Sequence, residues 1–354
     1  MSKANRYIRQ TLLDAIGHEG QHQLMQSHVA VVGCGGLGSI AAPYLAGAGV
    51  GHITLIDGDS PDITNLHRQV LYTTDGPQAT KASLLAEHIA KLNPDIRVTV
   101  HESMLTKMNI SELLAGIDIV LECTDHILTK YLVNDYCHLH RTPMIYGAMY
   151  KYDGYASVFE NISAESIHLR DIYAQPNTDI PTCSEVGVMG TLAGLIGIMQ
   201  ANEAIKYITG AGSTLVGTYL SYSCLTNEQM KLRLIKTYSD DLELVYSTNS
   251  YREESGCSPY ELAAETVLAD LSKYTVISVL PDEEHVAIAD TVLRQPMVTI
   301  DYETWQSADD KPVVFYCKSG KRSLQVVERL RRVQGSRAVY SLAGGVQGLP
   351  HQPK

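Results

Sequence analysis

The chain has 354 residues, of which 45% are apolar and 19% charged, a balance typical of folded globular proteins and not of disordered or fibrous ones. This length exceeds what one hydrophobic core normally supports, so two domains are expected. The net charge of −11 argues against nucleic acid or an anionic membrane as the main partner, because phosphate contacts need clustered Lys and Arg. Alternatively, the excess of acidic residues serves only to keep the protein soluble.

Neither a signal peptide nor a membrane span is predicted. Met1–Gln10 is polar, and the uncharged run Val186–Asn202 is Gly-rich and bounded by glutamates, which favours a buried helix. The seven cysteines form no C-x-x-C pair. Free thiols without a disulfide framework are typical of a reducing compartment, so a cytoplasmic protein is expected.

The first part of the chain alternates short β-rich runs with stretches of helical spacing. The predicted elements are a strand at His28–Val32, a helix through Ala48, a strand at His52–Ile56, a helix at Ala79–Leu92, strands at Ile96–His101 and Ile117–Glu122, and a helix at 126–139. Strands that alternate with helices predict an α/β fold with a parallel, doubly wound sheet and functional sites at the carboxyl ends of the strands.

The pattern changes from Lys151 onward. The predicted elements are then a strand at 154–159, a long apolar helix at 187–209, and strands at 215–222 and 229–235. The stretch Tyr238–Ser258 is polar and predicts a linker. The expected organisation is therefore a first domain at 1–238, a linker at 239–258 and a small α/β domain at 259–354.

A glycine-rich loop joins the first predicted strand to the first helix. Gly33, Gly35 and Gly38 form G-x-G-x-x-G, and Asp57 ends the next strand. Glycines let backbone N–H groups approach a phosphate at a helix N-terminus, and the acidic residue binds ribose hydroxyls. The loop therefore predicts a nucleotide site; a turn used only for close packing is the alternative.

More cations and amides surround this loop than a dinucleotide needs. Arg68, Gln69 and Lys81 follow Asp57, and Arg9 stands near the N-terminus. Such a set suits a triphosphate, whose charge must be neutralised as pyrophosphate departs. A nucleotide-dependent oxidoreductase is the rival interpretation, and it predicts a hydride-transfer pocket instead.

Six motifs occur in order between residues 5 and 236. They are R-Y-x-R-Q, G-C-G-G-L-G-S, L-I-D-G-D, T-N-L-H-R-Q, E-C-T-D and T-C-S-E-V-G-V-M-G. As a set they resemble the MoeB/ThiF/HesA adenylyltransferases, relatives of ubiquitin-activating enzymes. The resemblance implies a Rossmann-like doubly wound sheet of the ubiquitin-activating type, a homodimer, and adenylation of the C-terminal Gly-Gly of ubiquitin-like sulfur carrier proteins.

The resemblance also implies roles for individual residues. The implied ATP-binding set is Gly33, Gly35, Gly36, Gly38, Asp57, Asp59, Asn65, Arg68, Gln69 and Lys81. Within it, Asp57 would hold the ribose and Lys81 the phosphates. Asp125 would coordinate Mg²⁺, and Arg9 would reach the γ-phosphate in the partner subunit's site. As alternatives, Arg9 and Lys81 are surface charges and Asp125 is the N-cap of the following helix.

Two further family features concern thiols. In the family, the cysteine that matches Cys183 can form a covalent link with the activated carrier, and a position near a helix N-terminus would lower its pKa. A small structural thiol is the alternative. Many family members also bind zinc with two C-x-x-C pairs. Here His168 and Asp171 occupy the positions of the first pair. No cysteine occupies the positions of the second pair, shortly after Leu232. Two ligands cannot close a tetrahedral site, so no structural zinc is expected.

A second loop suited to sulfur chemistry lies near the C-terminus. The apolar run Val313–Tyr316 is followed by Cys317-Lys318-Ser319-Gly320-Lys321-Arg322-Ser323 and a predicted helix. Backbone N–H groups and cations, including Arg322, would stabilise a thiolate or persulfide on Cys317. The segment 259–350 resembles rhodanese-type sulfurtransferases. A phosphatase-like loop and a degenerate module are the alternatives, and Ser278-Val279-Leu280 replaces the usual Asp-Val-Arg.

Together the two domains predict a two-stage reaction. The first adenylates a carrier's terminal glycine with ATP and Mg²⁺, and a persulfide on Cys317, loaded by a cysteine desulfurase or another donor, supplies sulfur directly or through Cys183. Catalytic roles would fall to Arg9, Arg68, Lys81, Asp125, Cys183, Cys317 and Arg322. A non-catalytic carrier-binding scaffold is one rival hypothesis, and adenylation of a peptide or tRNA is another. The carrier and its pathway, whether molybdopterin, thiamin, tRNA thiolation or a secondary metabolite, stay open.

Overall fold

The computed structural model describes residues 6–74, 79–177, 187–251, 260–281, 284–289, 291–307, 309, 311–318, 320–335 and 338–349. The chain divides into two units, Met1–Tyr251 and Arg252–Lys354, each with its own sheet and its own buried apolar clusters. No helix within the described ranges is long and apolar enough to cross a membrane.

The first unit is built on an eight-stranded sheet with the order β3-β2-β1-β4-β5-β6-β7-β8. Its strands are β1 (His28–Val32), β2 (His52–Ile56), β3 (Arg97–His101), β4 (Ile119–Glu122), β5 (Met144–Tyr150), β6 (Asp153–Phe159), β7 (Thr218–Ser223) and β8 (Gln229–Arg233). The strands from β3 to β5 are parallel, and β6, β7 and β8 continue the sheet antiparallel. The predicted doubly wound sheet is confirmed.

Helices cover both faces of this sheet. They are α1 (Ile8–Thr11), α2 (Gly17–Gln26), α3 (Gly38–Ala48), α4 (Lys81–Leu92), α5 (Ile110–Leu113), α6 (Ile127–Leu139), α7 (Gly190–Thr209) and α8 (Leu242–Thr248). Strand β1 shows why both faces are covered: Val29 and Val31 join the cluster under α3, α4 and α7, while Ala30 and Val32 join the cluster under α6. Alternate side chains of a central strand point to opposite faces, and burying each valine stabilises the fold by about 1.5–3 kcal/mol.

The second unit contains a five-stranded parallel sheet with the order β11-β10-β12-β13-β9. Its strands are β9 (Glu261–Leu262), β10 (Thr275–Ser278), β11 (Leu293–Arg294), β12 (Val313–Tyr316) and β13 (Val339–Leu342). Helices α9 (Ala264–Ala269) and α10 (Lys321–Gln334) accompany it, and α10 connects β12 to β13. The central strand β12 ends directly before Cys317, which places this thiol at the carboxyl edge of the sheet.

The predicted linker at 239–258 starts too early. Asp241 caps α8 by accepting hydrogen bonds from the N–H groups of Glu243 and Leu244. Tyr251 is buried, and its hydroxyl donates to Asp135 on α6 at 2.5 Å. The residues up to Tyr251 therefore belong to the first unit, because capping and burial anchor a stretch whose polarity alone indicated a linker.

Candidate active sites

The glycine loop and Asp57 form the floor of the first site. Asp57 follows β2, and its two carboxylate oxygens accept hydrogen bonds from the backbone N–H of Cys34 at 2.7 Å and of Asp59 at 2.8 Å. Burial raises the pKa of Asp57, while these two amides and the charge of Lys81 oppose the rise. Gly38 in this loop has no room for a side chain, because a Cβ there would lie 1.9 Å from the carbonyl oxygen of Gly33.

Asn65, Arg68 and Gln69 form a second wall beside the loop. Asn65 Oδ1 accepts from Arg68 Nη2 at 2.9 Å and from Gln69 Nε2 at 3.2 Å. A Cβ at Gly35 would lie 3.3 Å from Gln69 Nε2, and one at Gly36 would lie 3.7 Å from Arg68 Cγ. Gln69 Oε1 is buried without a hydrogen-bond partner among the described residues. These side chains are therefore brought together at the loop.

Lys81 completes this wall from the start of α4. Its backbone N–H donates to the carbonyl of Asp59 at 2.7 Å, and its Nζ lies 3.3 Å from Asp59 Oδ2. The Lys81 side chain is 8% exposed, so the alternative of a solvated surface charge does not hold. A phosphate that displaced Asp59 would meet this ammonium with little competition from water.

Tyr72 is a residue of this site that sequence reasoning missed. Its buried hydroxyl lies 2.6 Å from the carbonyl oxygen of Cys34 and 3.2 Å from that of Lys81. It therefore braces the glycine loop against the start of α4. Its position three residues after Gln69, next to the apolar Val70 and Leu71, is the signal that pointed to a buried tyrosine in need of polar partners.

Asp125 lies on the segment after β4, which packs against the glycine loop. A Cβ at Gly33 would lie 3.0 Å from both the carbonyl of Cys123 and the N–H of Thr124. Helix α6 is capped by the side chain of His126, and the Asp125 carboxylate is exposed. The N-cap alternative for Asp125 is therefore wrong, because the cap position falls one residue later. This leaves the carboxylate facing solvent beside the loop.

Lys130 lies behind this segment and is buried. Its ammonium bonds to the carboxylate of Glu122 at the end of β4 and to the carbonyl of Gly147 at 2.7 Å, and it lies 5.1 Å from the ring centroid of Tyr146. Glu122 also accepts from the backbone N–H of Thr124 at 3.0 Å. Lys130 is thus engaged in holding the segment that carries Asp125.

Arg9 lies apart from this cluster. Arg9 lies on α1 with an exposed side chain, and no hydrogen bond or ion pair in the described ranges connects it to the glycine loop. Ile8, Leu12 and Leu13 around it are also exposed. Cys183 lies outside the described residues.

The corner where the family resemblance places zinc holds a hydrogen-bonded carboxylate. Asp171 accepts from the backbone N–H groups of Thr237 and Tyr238, both at 2.7 Å, and of His168 at 2.9 Å, and its Oδ2 lies 3.5 Å from Lys236 Nζ. Burial lowers the pKa of His168 to about 3, and neighbouring positive charge acts in the same direction. A carboxylate with these donors and a nearby ammonium does not fit a tetrahedral zinc, and the absence of zinc stays a prediction.

The second site centres on Cys317. The thiol is fully buried, and the Cys317 carbonyl accepts from the N–H of Val346 at 2.9 Å. Gly320 is the N-cap residue directly before α10. Its φ of +88° lies in the left-handed region, which glycine adopts without strain. The Ser323 hydroxyl donates to Cys317 Sγ at 3.6 Å. A thiol at a strand end, wrapped by a tight loop into a helix N-terminus, is suited to carrying a stabilised sulfur anion.

Arg322 pairs with a carboxylate of the second unit. Its guanidinium donates to Glu284 at 2.6 Å, and both side chains are partly exposed. The Arg322 charge is therefore shared with a surface carboxylate in this structure. Ser319 lies outside the described residues, as does the side chain of Lys321.

The two sites define the class of the protein: an enzyme with a nucleotide-binding α/β unit of the adenylating type and a separate cysteine-loop unit of the sulfurtransferase type. The chain belongs to the ThiF family, whose sequence profile matches residues 7–244. The profile of the rhodanese-like domain matches residues 272–349. The protein is thus an adenylyltransferase that carries a sulfurtransferase domain.

One curated relative matches nearly the whole chain, and two others match about two thirds to three quarters of it. The chain is 30% identical over 96% of its length to the probable adenylyltransferase/sulfurtransferase MoeZ of Mycobacterium tuberculosis, of which the match spans 91%. It is 35% identical to the SAMP-activating enzyme E1 of Haloferax volcanii, over 72% of this chain and 88% of that protein. It is 38% identical to the sulfur carrier protein adenylyltransferase of Thermus thermophilus, over 64% of this chain and 86% of that protein.

Solved structures show the fold of the first unit. The crystal structure of E. coli MccB superposes with a TM-score of 0.59 at 20% identity, over 67% of this chain and 71% of that one. At this level of identity the likeness extends to the fold alone.

Proposed function

We propose that this protein adenylates the C-terminal glycine of a ubiquitin-like sulfur carrier protein and then delivers sulfur to it from Cys317. The observation that carries the first step is the convergence of Arg68, Gln69 and Lys81 on the glycine loop. The relatives from Haloferax volcanii and Thermus thermophilus, named for SAMP and for a sulfur carrier protein, support the choice of substrate.

Adenylation is a displacement at the α-phosphorus of ATP. A carrier carboxylate oxygen attacks, the bond to the bridging oxygen breaks, and pyrophosphate leaves. This reaction needs positioning and positive charge more than a nucleophile on the protein. Asp57 would hold the ribose, and Arg68 and Lys81 would neutralise the departing phosphates.

Asp125 is the residue we assign to Mg²⁺. Its exposed carboxylate beside the glycine loop is the donor type that Mg²⁺ prefers. When bound, the ion would neutralise phosphate charge and orient the leaving group. Arg9, exposed on α1, would act in the site of a second copy of the chain, so the active form would be a homodimer.

The sulfur step would follow on the second unit. The outer sulfur of a Cys317 persulfide attacks the acyl carbon, and AMP leaves. A second thiol, for which Cys183 is the candidate, then forms a disulfide with the Cys317 sulfur and releases the carrier thiocarboxylate; an external dithiol reduces the disulfide. A cysteine desulfurase is the class of donor that would reload Cys317. Both thiols must be kept reduced, which favours the cytoplasm.

ATP–pyrophosphate exchange with purified carriers ending in Gly-Gly tests the first step. Exchange should require the carrier, fall at least a hundredfold in Asp125→Ala, and persist in Cys317→Ala, with Asp14→Ala, another exposed aspartate, as the control. Exchange with a short peptide but with no carrier would overturn the choice of substrate. Thiocarboxylate formation, read by the mass of the carrier, should be lost in Cys317→Ala and kept in Cys224→Ala.

A further inference from the structure

Two buried serines lie against the reactive sulfur of the second unit. Ser323 is in the first turn of α10 and Ser341 is on β13, and both are fully buried. Their hydroxyl oxygens are 2.8 Å apart, and Ser323 Oγ is 3.6 Å from Cys317 Sγ. The two serines lie on different secondary-structure elements, so only the tertiary structure brings them together beside the sulfur.

The hydroxyl protons can be counted against the acceptors. Each serine has one proton to donate. Besides the sulfur, the carbonyl oxygen of Gly320 is an acceptor, 2.9 Å from Ser323 Oγ and 3.3 Å from Ser341 Oγ. If Ser323 donates to Gly320, the sulfur receives nothing from it. The Gly320 carbonyl also accepts from the N–H of Leu324 at 3.0 Å, so it stays satisfied when the Ser323 proton turns to the sulfur. Ser341 can then donate to Ser323 Oγ across the 2.8 Å between them.

We propose that Ser323 and Ser341 form a hydroxyl relay that stabilises the anionic sulfur of Cys317. Ser323 donates to the thiolate or to the persulfide, and Ser341 is the positioning residue, whose hydroxyl donates to Ser323 Oγ and so directs the Ser323 proton to the sulfur. Donation to the charged form favours ionisation, and such a bond is strong where water is excluded. The relay matters here because the Arg322 guanidinium is engaged by Glu284 in this structure.

The inference rests on the proposed role of Cys317 as the sulfur carrier, but its test does not depend on that role. The test is the pH dependence of alkylation of Cys317 by iodoacetamide in the full-length protein, followed by peptide mass spectrometry. Ser323→Ala should raise the alkylation midpoint by about one pH unit, the usual size for one hydrogen bond to a charged group. Ser341→Ala should raise it less.

The double variant separates a relay from two independent effects. Because Ser341 acts through Ser323, the variant with both alanines should show the same midpoint as Ser323→Ala alone. Ser278→Ala, another buried serine of the same sheet, is the matched control and should leave the midpoint unchanged. An unchanged midpoint in Ser323→Ala, or additive shifts in the double variant, would overturn the proposal. Thermal melts of each variant show whether the unit is folded.

Sulfur transfer from thiosulfate to cyanide gives a separate outcome for the proposed function. The acidic limb of the rate profile should move upward with the alkylation midpoint in Ser323→Ala. If Cys317→Ala keeps the wild-type rate, Cys317 is not the residue that carries sulfur. The alkylation series still tests the hydroxyl relay independently.

Discussion

The carboxylate of Asp171 accepts a hydrogen bond of 2.7 Å from the backbone N–H of Tyr238, and so ties the turn Leu169–Asp171 to the segment that follows β8. The N–H of Thr237 donates to the same oxygen, also at 2.7 Å. The family resemblance places two cysteine pairs and a zinc ion at this corner. In this chain the buried carboxylate of Asp171, with its amide donors, joins the two segments.

We expect Asp171→Asn to lower the free energy of unfolding of the first unit by about 1–3 kcal/mol, because the amide offers one acceptor oxygen in place of two and removes the charge beside Lys236. Asp14→Asn, on the exposed surface, is the control. Hydrogen exchange should accelerate in peptides covering 160–171 and 234–238. Wild-type melting should not respond to chelators, and stoichiometric zinc in elemental analysis would contradict this account.

His168 should make the first unit acid-sensitive. Its pKa is lowered to about 3 in the folded protein, mainly by burial, against about 6.5 when unfolded. As the pH decreases, the unfolded chain therefore takes up the proton before the folded protein does. Between these two pKa values the free energy of unfolding decreases as the pH decreases, by up to about 1.4 kcal/mol per pH unit. The pKa of Asp171 is lowered, because amide hydrogen bonds outweigh the effect of its burial. Its ionised carboxylate therefore stabilises the fold above the ordinary aspartate pKa near 3.8, and this stabilisation is lost as the pH decreases below that value. Unfolding from pH 7 to 4 should be less pH-dependent in His168→Gln than in wild type, with His22→Gln as control.

Hydrophobic alternation and glycine spacing predicted those strands and turns whose sequence signal lies within a few neighbouring residues. Strand β1 and the glycine loop after it were predicted because alternation and glycine spacing are local signals. Strand β5 was missed, since Gly147 interrupts its β-rich run. The structure gives the reason for that glycine: a Cβ there would lie 2.4 Å from Cδ of Gln200 on α7. That contact joins residues far apart in the chain, which periodicity cannot reveal.

The same limit applies to the sites. The resemblance named Lys81 and Arg68, whose types and spacing are visible in the sequence. It did not name Tyr72 or Ser341, whose roles come from distances across the fold. A tyrosine or serine has many structural uses, so its type alone indicates no site.

Tyr72→Phe should weaken ATP binding with little change in the maximal exchange rate. The lost hydroxyl leaves the carbonyls of Cys34 and Lys81 without this donor, which frees the loop from α4. We expect KM for ATP to rise several-fold and stability to fall by about 1–3 kcal/mol. Tyr44→Phe, whose ring is 56% exposed, should change neither. A fall in the maximal rate with unchanged KM would contradict a bracing role.

Lys130→Met should be strongly destabilising because it leaves Glu122 buried without its partner. Removal of one member of a buried pair costs about 3–5 kcal/mol, whereas removal of both charges is often tolerated. The double variant Lys130→Met with Glu122→Gln should therefore recover much of the loss. Chemical unfolding of the two variants, compared with Lys91→Met in an exposed ion pair, measures the difference. Equal losses in the single and double variants would show that packing and not charge explains the effect.

Subunit complementation tests whether Arg9 acts in the site of a second copy. Arg9→Ala and Asp125→Ala should each be inactive in carrier-dependent exchange. When the two are unfolded and refolded together, half of the dimers contain one of each, and one of their two sites then has both Arg9 and Asp125 intact. Activity should return to about a quarter of the wild-type value, because only that one site in every mixed dimer is complete. If Arg9 served its own subunit, each site would still lack one residue and mixing would restore nothing. Arg6→Ala, mixed in place of Arg9→Ala, shows how far refolding alone changes the rate.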